Sequence, residues 1–266
     1  MAKVTKHYAD GRFGQIHHRR AAPVGVSTQP PLLLFHMSPY SSVIYQNFLA
    51  AMGEQRLTIA VDTPGFGNSD APPSPPQIQD YAAAVGDMMD ALKLRHVDVM
   101  GYHTGSKIAL EVAIQRPAQV RKVVMISAAI WTDEELKDHR AQFAKTEISE
   151  DGAHLVKWWK AAMHWSMTGR TKEQVAEVFP ARMMNPAISW WGHAAAFDYK
   201  TADALQKVSQ PVLILNPQDD IWEFTPRAKK YLRNGRIHDL PGWSHGFLDV
   251  KTQEATTIVG GFLDEK

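Results

Sequence analysis

The residues with the most chemical promise lie in Gly101-Tyr102-His103-Thr104-Gly105, between a short apolar strand, Val97 to Met100, and an amphipathic helix that begins at once behind it. Strand, tight turn and helix in this order form the setting in which the middle residue of a Gly-x-Ser-x-Gly turn is lifted above a sheet as a nucleophile. The glycines are needed because a side chain at either place would collide with the neighbouring backbone. An acyl-transfer enzyme carries serine in the middle; this chain carries His103. An imidazole is nucleophilic when neutral and also serves as a general base toward water or toward a proton next to a carbonyl.

The rest of the chain supplies elements able to hold such a turn. Val4 to Arg19 reads as a hairpin around Ala-Asp-Gly-Arg. Leu32 to Phe35, Leu57 to Val61, Val123 to Ile126 and Val212 to Leu215 are continuous apolar runs, the pattern of strands buried on both faces of a parallel sheet. A further strand is expected near Arg236 to Leu240. Helices are expected over Ile78 to Leu94, behind the elbow as far as Pro117, around Pro226 to Arg233 and at the C-terminal end. Turn-forming residues crowd Asp62 to Ser69, and the Pro-rich run Ala71 to Gln77 is a surface connection. From Trp131 to Lys200 no buried strand occurs, while amphipathic stretches rich in Trp and Met do. The organisation expected is a core over 1–130 and 201–266 with a helical lid inserted at 131–200.

With 266 residues, 44% hydrophobic, the chain can bury a sizeable core, and a net charge of +1 without basic runs points away from nucleic acid and anionic membranes. A small molecule is the expected partner. The absence of cysteine excludes disulfides and thiolate metal sites. The first residues lack the apolar segment of a secretory signal, so a cytoplasmic monomer or homodimer is expected.

Four stretches in order resemble the α/β-hydrolase superfamily, and more narrowly its lidded epoxide-hydrolase-like and C–C-hydrolase-like members. His36-Met37-Ser38-Pro39-Tyr40 resembles the His-Gly-x-Pro oxyanion loop, and Asp62 to Asp70 resembles the Asp-x-Pro-Gly-x-Gly-x-Ser signature. Gly101 to Gly105 is the elbow, and Gln218-Asp219-Asp220 and Trp243-Ser244-His245 stand where the acid and histidine belong. The resemblance implies an eight-stranded, mostly parallel sheet with helices on both faces and an inserted lid. It makes His245 the triad histidine and Asp220 the triad acid, with Asp219 the weaker choice, and the backbone N–H groups of Met37 and Thr104 the oxyanion donors. His103 replaces the nucleophile, and Met37 replaces a glycine.

The function expected is hydrolysis of an ester, lactone or C–C bond in a small, largely apolar carbonyl compound, with His103 as nucleophile or base. Two alternatives stand beside it: lyase, isomerase or cofactor-free oxygenase chemistry through an enolate, and a ligand-binding protein without turnover. Ser38, Trp158, Trp190, Trp191 and Trp243 are candidates to line the pocket. His36 and Asp62 are expected to tie loops together, and the lid residues His164, His193, Arg170 and Arg182 to be solvated or structural unless they point inward, where they would favour a carboxylate-bearing substrate. No cofactor is expected. His103, His245 and Asp220 resemble a two-histidine, one-carboxylate ligand set, but Asp220 is expected to be occupied behind His245, so no metal is expected.

Overall fold

Alternation along single strands divides the interior in two. In the computed structural model, which describes residues 1–265, all four residues of Leu32–Phe35 are buried. Leu33 and Phe35 enter one apolar cluster with the helices Ile78–Ala91 (α2) and Thr104–Gln115 (α3). Leu32 and Leu34 enter another with Gln46–Met52 (α1) and Thr252–Asp264 (α10). A strand with side chains of period two and apolar residues on both sides must be covered on both, and these helix pairs cover it.

The eight strands are Thr5–Gly11 (β1), Gly14–Ala21 (β2), Leu32–Phe35 (β3), Thr58–Val61 (β4), Val97–Tyr102 (β5), Val120–Ile126 (β6), Val212–Pro217 (β7) and Gly235–Leu240 (β8), in the spatial order β1-β2-β4-β3-β5-β6-β7-β8. β1 and β2 form an antiparallel hairpin, β2 pairs antiparallel to β4, and every other pairing is parallel. This is the α/β-hydrolase fold that the motifs imply. β8 closes one edge with mostly exposed residues, including Arg236, His238 and Asp239, a polar rim that discourages further pairing.

Between β6 and β7 the chain forms Asp133–Gln142 (α4), Ala153–His164 (α5), Lys172–Val178 (α6), a 3-10 turn over Phe179–Met183, Trp191–Asp198 (α7) and Thr201–Lys207 (α8). Capping boxes start α4 at Thr132 and α6 at Thr171. Phe247–Val250 is a further short helix, α9. Among the described residues no helix is long and apolar enough to cross a membrane.

The structure departs from the expected elements at three places. β5 continues to Tyr102, and β6 begins at Val120, where Arg121 and Lys122 interrupt the apolar run and the register with β5 shifts. The segment expected as a helix around Pro226 is a 3-10 helix, Thr225–Tyr231. α1 was not foreseen: Phe48 to Met52 are buried throughout, so the segment lacks the one-sided stripe by which a surface helix is read.

Candidate active site

Each functional residue follows the carboxyl end of a strand: Met37 after β3, His103 after β5, Ser127 after β6, Asp219 and Asp220 after β7, and His245 after β8. Loops at this edge of a parallel sheet converge where ligands bind in open α/β folds.

The elbow is strained as its glycines require. His103 has φ 48° and ψ −104°, an unfavourable backbone for a residue with a Cβ, costing on the order of 1–3 kcal/mol. A Cβ on Gly101 would strike the carbonyl of Gly105, and one on Gly105 would strike the carbonyl of Phe35. The turn is pinned by the His103 N–H on the Ile126 carbonyl (3.0 Å) and the Ser106 N–H on the His103 carbonyl (3.0 Å). Ser106 itself is spent on the fold, its hydroxyl lying 2.9 Å from Gly101 O and 2.8 Å from Ile126 O.

Two histidine–carboxylate pairs meet above this turn. His103 Nε2 donates to Asp219 Oδ2 at 2.8 Å, and Asp219 is wholly buried. His245 Nε2 donates to Asp220 Oδ1, also at 2.8 Å. The two imidazoles are 5.2 Å apart, edge to face. His245 Nδ1 lies 3.1 Å from the Tyr102 hydroxyl, which donates when the ring is neutral and accepts when it is protonated. Burial would favour neutral forms of His245 and Asp220, but their mutual hydrogen bond and charge prevail, lifting the imidazole and drawing the carboxyl well below its usual range.

His103, Asp220 and His245 thus come together as the motifs imply, with one correction in their pairing. Asp219, the weaker choice from sequence, is the carboxylate on His103, and His245 turns Nε2 to its acid and Nδ1 to Tyr102, leaving neither nitrogen free for His103. Adjacent residues leaving β7 project differently, so Asp219 turns into the protein while Asp220 turns along the cavity wall. Spacing along the chain carries no information on which of two neighbouring aspartates does which.

A cavity of about 460 Å³ opens over the pair, and Met37, Ser38, Thr104, Trp158 and Trp190 all line it. Thr104 begins α3, so its N–H has no acceptor within the helix. Met37 N–H makes no hydrogen bond among the described residues. His36 ties the neighbouring loops: Nδ1–H donates to Met37 O at 2.9 Å, and Nε2 accepts the Thr63 N–H at 3.0 Å. Asp62 accepts from His17 Nδ1, Ser42 N–H and Asn68 N–H at 2.8, 2.7 and 2.9 Å. These contacts lower its pKa to about 2 against the effect of burial.

Trp191 and Trp243 do not line the cavity. Trp190 and Trp191 are neighbours at the start of α7, where successive side chains point about 100° apart, so only one can face inward. Trp243 packs on Phe247, with ring centres 5.4 Å apart.

Four lining residues change the character of the pocket. Arg170 is paired with Asp249 at 2.8 Å. Arg182, stacked 5.3 Å over the Trp158 ring, has no carboxylate partner among the described residues, and its Nε is buried without a hydrogen bond. Lys107 lies one turn after His103, donates to Ala196 O at 2.7 Å, and is brought by burial down to about 8. His193, between Phe143 and Phe197, is held neutral with a pKa lowered to about 3 by burial, then by the charges of Arg182 and His103. Lys107 could have been found from its four-residue spacing to His103 on one helix face. Arg182 could not, since nothing local says whether a lid arginine turns in or out.

A family model described as alpha/beta hydrolase fold matches residues 30–220. Haloalkane dehalogenase 2 from Mycobacterium tuberculosis is 33% identical over 123 residues, 46% of this chain and 41% of that protein. The chain therefore spans about two fifths of the length of the dehalogenase it matches. A non-heme chloroperoxidase from Streptomyces lividans is 26% identical over 248 residues, covering 83% of this chain and 86% of that one. Among solved structures, an enol-lactonase from Burkholderia xenovorans LB400 superposes with TM-score 0.80 at 19% identity, covering 97% of this chain and all 100% of that one.

Proposed function

Since the chain belongs to the α/β-hydrolase fold family, we propose that it is an enzyme hydrolysing an ester, lactone or C–C bond in a small carbonyl compound, with His103 as its base. One observation carries this reading: His103, on the strained elbow, gives Nε2–H to buried Asp219, while its Nδ1 makes no hydrogen bond among the described residues. A carboxylate behind one nitrogen fixes the tautomer and makes the other a better proton acceptor.

In this reading water in the cavity gives a proton to Nδ1 as its oxygen attacks the carbonyl carbon. The N–H groups of Met37 and Thr104, with the positive end of α3 behind Thr104, receive the oxyanion. The tetrahedral species collapses as the imidazolium returns its proton to the leaving group. The His245–Asp220 pair stands beside the reaction, its imidazole 5.2 Å from that of His103. The family resemblances to a named enol-lactonase and a named dehalogenase support small substrates. Arg182, lining the cavity over the Trp158 ring without a carboxylate partner among the described residues, favours a substrate with a carboxylate of its own.

The same base suits removal of a proton next to a carbonyl, because a ring already backed by a carboxylate needs no hydroxyl to act. The test is turnover of short activated esters and lactones, with and without a carboxylate, by the natural protein, His103→Ala and His103→Ser. Hydrolysis that falls at least ~10²-fold in His103→Ala supports the reading. Equal rates in the natural protein and His103→Ala overturn it. Activity gained only in His103→Ser moves the search to enolisable compounds, and a carbonyl ligand bound but unchanged moves it to a binding role.

A further inference from the structure

His103, Asp219, Asp220 and His245 each offer one donor atom, and the four atoms all lie within 4.8 Å of one another. We propose that these four side chains form a binding site for one divalent transition-metal ion of borderline hardness, the class of Zn²⁺, Co²⁺, Fe²⁺ and Mn²⁺. The proposal goes beyond the hydrolytic reading and does not rest on it.

Both imidazoles turn Nε2 to a carboxylate oxygen 2.8 Å away. A ring nitrogen and a carboxylate that close need a positive species between them, either a proton for each pair or one cation shared by both. Two neutral imidazoles and two carboxylates carry a charge of −2, which a divalent ion cancels.

The surroundings are those of a ligand set held from behind. A metal-bound histidine ordinarily gives its second ring N–H to an oxygen that fixes its orientation. His245 has that partner in Tyr102, 3.1 Å from Nδ1. The Asp219 carboxylate accepts the Ser127 hydroxyl at 3.3 Å and the Ile221 N–H at 3.1 Å. The donors come from the ends of three strands, so the sheet itself sets their spacing. Tetrahedral donors around such an ion sit roughly 3.3–3.6 Å apart, so the 2.8 Å pairs must open and the widest spacing must close, by about 0.7 Å at each of two groups. Side-chain rotation covers this without moving the elbow. His103 and His245 are each 16% exposed and Asp220 25%, all toward the cavity, which gives the ion access.

Donor chemistry narrows the ion. Two nitrogens disfavour Mg²⁺ and Ca²⁺, which take oxygen, and the chain has no thiolate for Cu⁺. The expectation from sequence that no metal binds assumed that Asp220 was fully engaged behind a triad histidine. It omitted Asp219, which brings a second carboxylate to the same point.

The experiment uses the full chain, treated with chelator and then titrated with Zn²⁺ by calorimetry and with Co²⁺ by visible absorption. One equivalent of Zn²⁺ and a d–d band saturating at one Co²⁺ are expected, with affinity falling at least ~10-fold in His103→Asn and in Asp219→Asn and unchanged in His96→Ala, an exposed histidine just before the start of β5, at the opposite end of that strand from His103. X-ray absorption of the Zn²⁺-loaded natural protein, which needs no variant to fold, is expected to show nitrogen and oxygen donors with two imidazoles. No saturable binding, fewer than two imidazoles, or binding unaltered in both site variants overturns the site. None of these results bears on hydrolysis by the chelator-treated protein, which is assayed separately.

Discussion

The Nε2 of His103 lies 2.8 Å from Asp219, one residue before the carboxylate that holds His245. Two adjacent aspartates at the end of one strand thus serve two different histidines. Asp219→Asn removes the carboxylate that sets the His103 tautomer and should lower kcat by roughly 10²–10⁴. Asp220→Asn leaves that pair intact and should cost less. Steady-state kinetics of the two variants on one activated ester compares them directly, and an equal loss would mean that the pairs act as one unit.

Tyr102→Phe fills the same buried space but leaves His245 Nδ1 without its hydroxyl. A net loss of about 0.5–1.5 kcal/mol in stability is expected, read from urea unfolding. Because His103 keeps Asp219, most of the hydrolytic rate should survive.

The elbow glycines tolerate no side chain. Gly101→Ala and Gly105→Ala each drive a Cβ into backbone rather than into a yielding side chain. Both variants should lose more than about 4 kcal/mol or fail to fold, whereas Gly261→Ala, with open space around its Cβ, should unfold near the natural protein. Thermal denaturation followed by circular dichroism ranks the three.

Arg182→Gln should separate substrates by charge. For an ester carrying a carboxylate, loss of a charge-assisted hydrogen bond should raise KM by about 10–100-fold, while a neutral ester of the same size should change little. A uniform effect on both would assign Arg182 to packing on Trp158.

Acid should destabilise the fold beginning near neutrality. Burial holds His18, His36 and His193 below the ordinary histidine value of 6.5, with His18 at about 4 and His193 at about 3. The unfolded chain takes up these protons first, so their contribution is full above 6.5 and is lost as pH falls through 6.5 toward the folded values. Asp62, lowered to about 2 from 3.8, adds a second loss as pH falls from 3.8 toward 2. Urea midpoints between pH 7.5 and 4 should decline, and His193→Phe should flatten that decline; a flat natural profile would contradict it.

Much was legible in the chain because it is local. Four apolar runs with turn chemistry at their ends specify buried strands whichever way they are later ordered, and two glycines four positions apart around His103 specify the elbow, since only glycine fits there. The lid shows itself as seventy residues without a buried run. What the chain could not show is direction in space. Whether Trp190 or Trp191 faces the cavity, whether Arg182 turns inward and which of Asp219 and Asp220 reaches His103 depend on where separate strands and helices come to lie. His103 and Asp219 are 116 positions apart, and their bond exists only because β5, β6 and β7 stand side by side with their carboxyl ends together. Residue type and spacing determined that a histidine would stand on a strained turn above a parallel sheet; only the packing of the sheet decided which carboxylate stands behind it, because a hydrogen bond is set by distance in space and not along the chain.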